Sequence, residues 1–351
     1  MLRPYNDTFE IGFLKSGTGA GTFAPSSAST PGIRYCMDID QQIFVQTLII
    51  GLTTGGYLAL IALGYTMVYG VIELINFAHG DIFALGFFVS LVLFGALNPP
   101  SPMTGAWLIV ALPAVILLTM LITGLVNVTI ERVAYRPLRN APRLAPLITA
   151  VGVSFALQAL YAVWQSPSTV AYPNYLPRED LLESVFGLDF RILSFTTKEL
   201  FLFAIAIPLM VALTLFVDRT KIGKAMRACA QDREAAAMVG INVDRIIALT
   251  FFIGGALAGT AGAVWGLYLN SGRFTMGFEA GLFAFTSAVL GGVGNIRGAV
   301  LGAFIIGMTQ ALSDRYIGGE WTRIVIFGLL ILLLVFRPSG ILGSTQSIEK
   351  V

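Results

Sequence analysis

Residues 73–81 read Glu-Leu-Ile-Asn-Phe-Ala-His-Gly-Asp and place two carboxylates, Glu73 and Asp81, and the chain's single histidine, His79, between two apolar runs with no polar linker. Ionisable groups beside lipid cost about 2.5–3.5 kcal/mol each on insertion scales, so they tend to line a cavity or a ligand path. Two readings are open. In one, Asn76 and Gly80 break the helix inside the membrane. The half-helix that follows then offers free N–H groups and a positive dipole end to an anionic group, with Asp81 opposing that group or pairing with an ammonium. In the other, the segment is a short turn at the cytoplasmic face and Asn76 or Asp81 is an ordinary helix cap. A zinc or iron centre needs further Cys or His ligands, and none lies near His79 in sequence. No serine or cysteine nucleophile stands beside it either, so the chemistry suggested is binding and passage rather than hydrolysis.

A second glycine-rich break, Gly291-Gly292-Val293-Gly294-Asn295-Ile296-Arg297-Gly298, separates two short apolar runs. It lacks the Gly-Lys-Ser/Thr end of a phosphate loop, where a lysine and a hydroxyl meet phosphate and magnesium. The segment reads as a turn between hairpinned helices with Arg297 at the interface, and the chain shows no means of hydrolysing ATP by itself.

The third feature is the loop 218–245, which carries Arg219, Lys221, Lys224, Arg227, Arg233 and Arg245. Within it, Asp232 is placed to cap a short alanine-rich helix over Arg233–Val239 that Gly240 terminates. This predicts a rigid knob; a solvated basic loop that merely marks the cytoplasmic side is the plainer alternative.

The elements that must position these residues are membrane helices. Of 351 residues, 56% are hydrophobic and 12% charged, about half the charge a soluble surface needs. Residues 82–130 hold no charged side chain. Apolar runs cover roughly 43–70, 82–97, 106–130, 144–164, 200–217, 246–269, 281–290, 298–312 and 324–336. They show none of the alternation of a lipid-facing strand, so the fold class is all-α, a polytopic transmembrane bundle of eight to nine helical segments. Three runs (82–97, 281–290 and 298–312) are short, and predict broken or re-entrant helices. Lys and Arg gather in cytoplasmic loops, which assigns 131–143 (Arg132, Arg136, Arg139, Arg143) and 218–245 to the cytoplasm, and the uncharged 98–105 and acidic 165–199 to the opposite side. Arg337 after the last run puts the C-terminus in the cytoplasm. A net charge of +2 gives no basic field for nucleic acid.

Residues 1–40 are rich in Gly, Ser and Thr, lack the order of a secretory signal, and read as a disordered extension, with Met37 an alternative start. The membrane domain is 41–343 and the tail 344–351. Cys36 and Cys229 lie in different regions and are not expected to pair. Small-residue pairs Gly51/Gly55, Gly255/Gly259, Gly262/Gly266 and Gly298/Gly302 invite close helix contact, either within the chain or with a second subunit.

Glu234-Ala235-Ala236 followed by Gly240 resembles the EAA loop of ABC-importer permeases. With Tyr65–Gly70, Ile75–Gly80, Ile130–Pro137, Arg227–Asp232 and Ala288–Gly294, the stretch from about Ile43 to Gly343 resembles the branched-chain amino acid permeases of the LivH type. One departure is Asp244-Arg245-Ile246 at the loop end, where other importer families have Ile-x-Leu-Pro. The resemblance implies a non-enzymatic transport subunit in the inner membrane of a prokaryote. It would pair with a second permease, a LivM-like paralogue or a copy of itself, and with two cytoplasmic ATPases that hydrolyse ATP with magnesium. An extracytoplasmic binding protein would deliver the substrate. This chain would bind no cofactor. It implies ATPase coupling through Arg233, Glu234, Ala235, Ala236 and Gly240, and the polar segment Glu73, Asn76, His79, Gly80 and Asp81 is the candidate substrate path. Related permeases carry urea and short amides, and a proton-coupled carrier relaying protons through Glu73, His79 and Asp81 is the rival from another class. The poverty of fixed charge in the spans favours a neutral zwitterion.

Overall fold

The computed structural model describes residues 39–343 except 73–75, 140, 143, 188–189 and 191. The N-terminal extension with Met37 and Cys36, the 344–351 tail, Glu73 and Arg143 lie outside the described residues. Within them the helices are α1 (Ile39–Ile72), α2 (His79–Leu97), α3 (Leu112–Ile130), α4 (Leu144–Trp164), α5 (Leu181–Phe186) and α6 (Thr197–Arg219). There follow α7 (Lys221–Gln231), α8 (Arg233–Met238), α9 (Val243–Leu269), α10 (Met276–Gly291), α11 (Ile296–Ser313) and α12 (Thr322–Phe336). The strands β1 (Val170–Ala171) and β2 (Ser271–Gly272) form one short antiparallel pair.

Seven helical stretches are long and apolar enough to span a bilayer, and α10 and α12 are shorter apolar helices. The chain is therefore an all-α polytopic membrane bundle. Two expectations need correction. The runs at 82–97 and 298–312 are not as short as they read, because α2 begins at His79 and has 19 residues and α11 continues through a π turn to Gly318 as a 23-residue stretch. Nor is 131–143 a loop throughout: a π turn at Glu131–Tyr135 and a 3-10 turn at Arg136–Leu138 carry α3 onward. The charges there stay helical because they are paired, with Arg139 bonded to Glu131 and to Asp244 and Arg136 bonded to Asp244.

Helix starts outside the apolar stretches carry the side-chain caps that orphan N–H groups require. Thr220 Oγ1 accepts from Gly223 N (2.9 Å), Asn242 Oδ1 from Arg245 N (3.0 Å) and Asn295 Oδ1 from Gly298 N (3.1 Å). The last cap opens α11 just after the 292–295 turn, so the glycine-rich break is the hairpin its sequence predicts, with Arg297 exposed and 3.4 Å from Asp218.

The two basic segments share one end of the bundle, joined by the Arg136/Arg139–Asp244 pairs. The C-terminal stretch joins that end, where Ile341 N and Leu342 N donate to the carbonyls of Leu290 and Gly291. At the other end, Met103 N donates to Tyr175 O (2.7 Å) and Ser101 Oγ to Asn174 O (2.7 Å), tying the 98–105 segment to 165–199. The start of α1 lies there too, with Gln42 and Gln46 accepting from Ile192 N and Ser194 N. Charge therefore sorts the loops onto the two ends as the sequence predicts.

Close packing inside the chain accounts for the glycine pairs. Gly51 and Gly55 meet α11, Gly255 and Gly259 meet Thr123 and Asn127 of α3, Gly262 and Gly266 meet α2 and Tyr172, and Gly298 and Gly302 meet α10. A Cβ on Gly262 would stand 1.9 Å from the Phe83 carbonyl oxygen, a backbone atom that cannot step aside. Gly152, by contrast, has open space where a Cβ would go.

Gly262→Ala should therefore push α2 from α9 and destabilise by about 1–3 kcal/mol, as overpacking does, while Gly152→Ala leaves stability unchanged or raised. The check is thermal unfolding of the detergent-solubilised protein followed by size-exclusion chromatography; equal melting temperatures for the two variants would contradict the packing.

Candidate functional site

α1 ends at Ile72 and the chain re-enters as α2 at His79. The depth of that re-entry follows from its neighbours. His79 packs against Gly64 of α1, eight residues before Ile72, or about 12 Å along the axis at 1.5 Å per residue. Asp81 bonds Ser154 of α4, ten residues in from Leu144, or about 15 Å by the same rise. α2 thus starts well inside the bundle. Its N-cap position is Ala78, and no side chain caps it, so the helix-cap role for Asn76 or Asp81 is not what the structure has. Gly80 sits within the first turn rather than breaking the helix.

Each polar residue of the segment is enclosed. The His79 ring is wedged between α1 and α9: a Cβ on Gly64 would lie 2.3 Å from Nε2, and one on Gly254 3.4 Å from Cε1. The Tyr65 ring meets it edge-on at 4.7 Å between centroids. Gly80 lets α2 touch α10, since a Cβ there would be 2.3 Å from the Gly277 carbonyl oxygen. Asp81 Oδ2 accepts from Ser154 Oγ, Gln158 Nε2 donates to the same Ser154 oxygen (3.2 Å), and the Tyr161 hydroxyl donates to the Asp81 carbonyl (3.0 Å). Asp81 Oδ1 faces the first turn of α10, 2.9 Å from where a Gly277 Cβ would stand. Asn76 Oδ1 accepts from the Tyr135 hydroxyl (2.6 Å).

These residues are nearly or fully buried: His79 and Asp81 are 0% exposed and Asn76 4%. Buried polar atoms are nearly always paired. Among the described residues, buried side-chain atoms without a hydrogen-bond partner include Asn76 Nδ2 and Asp81 Oδ1 of this segment, while the His79 ring reaches the Ile61 backbone of α1. His79 faces α1 and α9 while Asp81, two residues on, faces α4 and α10, both beside the N-terminal ends of α2 and α10. N-terminal dipole ends favour an anionic group and an acidic oxygen favours a cationic one.

Sequence reasoning passed over several partners that had a signal. Ser154, Gln158 and Tyr161 recur at spacings of four and three in an apolar run, one polar stripe on one helix face. Thr119, Thr123, Asn127, Glu131, Tyr135 and Arg139 recur every four residues along α3 and its extension. An α-helix lags that spacing by about 40° per step, and the wider π turn at Glu131–Tyr135 winds the row back.

At the basic end, α7 and α8 form the expected knob. Asp232 Oδ1 accepts from Glu234 N (2.9 Å) and Ala235 N (3.0 Å), α8 runs Arg233–Met238, and Gly240 at φ +88° turns the chain out of it. Ala236 is buried and Glu234 and Ala235 are exposed, while Met238 and Val239 are 82% and 76% exposed, an uncommon display of apolar surface. Arg233 turns inward, its guanidinium donating to the Val71 and Ile72 carbonyls that end α1. Behind it Cys229 is buried, which pushes its thiol pKa up against the opposing pull of Arg233. A cleft of about 420 Å³, lined by Tyr69, Ile72, Arg139, Cys229, Asp232 and Arg233 among others, lies between α1 and this knob.

Residues 47–334 match the family described as branched-chain amino acid transport system, permease component. The chain belongs to this family. This permease is 42% identical over 308 residues to the high-affinity branched-chain amino acid transport system permease protein LivH of Escherichia coli strain K12, covering 88% of this chain and 98% of that protein. It is 41% identical over 317 residues to the corresponding protein BraD of Pseudomonas aeruginosa, with the same coverage. To LivM of Escherichia coli it is 29% identical over 174 residues, 48% of this chain and 39% of LivM. No solved structure matches it. It is thus a LivH-type, multi-pass membrane permease.

Loss of the charge or the ring at the re-entry should impair uptake without removing the protein from the membrane. Asp81→Asn and His79→Ala are each expected to cut the transport rate about tenfold, and Ser154→Ala less, in line with about 1.5–3 kcal/mol for a hydrogen bond to a charged group. Uptake of labelled leucine in proteoliposomes, normalised to protein in the bilayer, measures this. Wild-type rates in the Asp81 and His79 variants would reduce the segment to a structural turn.

Proposed function

We propose that this permease is one membrane-spanning subunit of an ATP-driven, binding-protein-dependent importer for branched-chain or other neutral amino acids in the cytoplasmic membrane. The observation that carries the ATP-driven part is the knob: a capped, rigid helix with Ala236 turned inward and Glu234, Ala235, Met238 and Val239 turned out. A secondary carrier has no ATPase to dock and no use for exposed apolar side chains there. On this reading ATP and magnesium belong to the partner ATPases and this chain acts as the transport subunit. The likeness to LivM across 48% of the chain suits a pairing of two related permeases, with two ATPases on the basic end and a substrate-binding protein on the acidic one.

The substrate class follows from the names of the relatives and from the re-entry. The first turn of α2 suits a carboxylate and the unpaired Asp81 Oδ1 an ammonium, while Tyr65, Phe285 and their neighbours supply apolar walls. A permeant with strong net charge would find few partners.

Glu234→Arg should leave membrane insertion intact, because the site lies outside the bundle core, and should weaken ATPase association. Affinity purification in mild detergent reads this as loss of co-purifying ATPase, and normal substrate-stimulated ATP hydrolysis in the variant would overturn the docking role. Unlabelled valine should compete with labelled leucine in proteoliposomes holding the full complex, and lysine or urea should not; the reverse pattern would withdraw the neutral amino acid assignment. Uptake should survive dissipation of the proton gradient at constant ATP, and collapse under that treatment would favour the proton-coupled carrier.

A further inference from the structure

Where α3 and α9 meet at the basic end lies an open cavity of about 460 Å³, apart from the re-entry and the knob. Its wall includes Arg132 and Arg136 from the α3 extension, Asp244 and Arg245 from the first turn of α9, and Val128 and Phe252 deeper along the two helices. Both acids that line it, Glu131 and Asp244, are paired: Glu131 with Arg139, and Asp244 with Arg136 and Arg139. Arg132 and Arg245 are exposed and, among the described residues, form no ion pair. Two positive charges therefore stand unbalanced around one cavity. Its floor is apolar, because the Phe252 ring lies across Gly124, where a Cβ would stand 2.8 Å from it. Toward the middle of α3 the same face continues as Leu117, Leu121 and Leu125, all exposed and spaced by four. Arg132 follows Leu125 by seven residues, two turns on, or about 10 Å along the axis.

We propose that this cavity binds the headgroup of an anionic phospholipid, with Arg132 and Arg245 holding the phosphate and the leucine row of α3 carrying an acyl chain. A guanidinium fork matches phosphate oxygens with paired, charge-assisted hydrogen bonds, and basic pockets between membrane helices suit such headgroups. One exposed arginine would only mark the basic end. Here two, from different helices, share a cavity whose apolar floor runs on into exposed leucines, so charge sits at the rim and apolar contact below it. That is the form of an amphipathic ligand; a free phosphate has no use for the leucine row. The start of α9 adds the positive dipole end of a 27-residue helix at the same rim, and Asp244 in that turn is already held by Arg136 and Arg139. Bound in this way, the lipid bridges α3 and α9. The proposal does not depend on how transport is driven.

The test uses the full-length permease with the subunits that accompany it, stripped of lipid in mild detergent. Dioleoyl phosphatidylglycerol and dioleoyl phosphatidylcholine are titrated in turn, and bound lipid is counted by native mass spectrometry. Phosphatidylglycerol should bind about twenty-five-fold more tightly, about fivefold for each unpaired arginine at an anionic headgroup. Arg132→Gln and Arg245→Gln should each remove about fivefold, and the double variant should bring the two lipids level. Lys224→Ala, which removes an exposed charge of α7 at the same end but outside the cavity, should change neither affinity. In a Leu125→Trp chain, phosphatidylglycerol brominated on its acyl chains should quench emission beyond the quenching seen without the substitution, and the double arginine variant should abolish that gain. Equal binding of the two lipids by the wild-type chain would overturn the proposal, and an equal loss in Lys224→Ala would replace the site with a diffuse basic field. Displacement of phosphatidylglycerol by an equal concentration of inorganic phosphate would make it a free-anion site. Loss of accompanying subunits from the double variant with phosphatidylglycerol affinity intact would make the cavity a protein interface; either result overturns the lipid assignment. If the double variant does not accumulate, the two single variants decide by the same titrations.

Discussion

Inside a bilayer each backbone N–H and C=O must find a partner within the protein, because lipid offers none. Helices meet that demand along their length but not at their ends, and α1 ends at Ile72 while α2 begins at His79. Polar groups from other helices gather there. The carbonyls that end α1 receive a guanidinium from the knob, the Asn76 side chain receives a hydroxyl from the extension of α3, and Asp81 receives hydroxyls from α4. The supports come from three different parts of the chain, the knob, the α3 extension and α4.

Support is incomplete by design of the packing. Asn76 Nδ2 and Asp81 Oδ1 stay unpaired beside the start of α2, while glycines of α1, α9 and α10 close in around His79 and Asp81. Unpaired buried groups cost energy where they stand, and the glycine contacts bring helix backbones together there with no side chain between them.

The fold class and the sorting of its loops were legible. Long uncharged runs dictate membrane helices wherever they occur, and the placement of arginines and acids sorted the loops onto two ends that hydrogen bonds and ion pairs confirm as distinct. The capped knob was legible too, since Asp232 and Gly240 act within a few residues of where they stand. Local signals failed where a partner arrived from afar. The reach of α3 past Glu131 depends on Arg139 and on Asp244, more than one hundred positions away, and the 131–143 segment therefore reads as a plain basic loop.

By itself the sequence determined which residues are costly in lipid: Asn76, His79 and Asp81 stand out because few other polar groups interrupt the runs around them. It also determined that glycines would bring helices close, since absence of a Cβ is a property of the residue alone. Only the tertiary structure decided which helices those glycines join, how deep α2 begins, and that Arg233 faces α1 while Met238 faces outward. The reason is physical. Desolvation cost and backbone freedom are carried by a residue wherever it goes, whereas the pairing that offsets the cost depends on which distant helix happens to lie opposite, and that is settled only when the whole bundle packs.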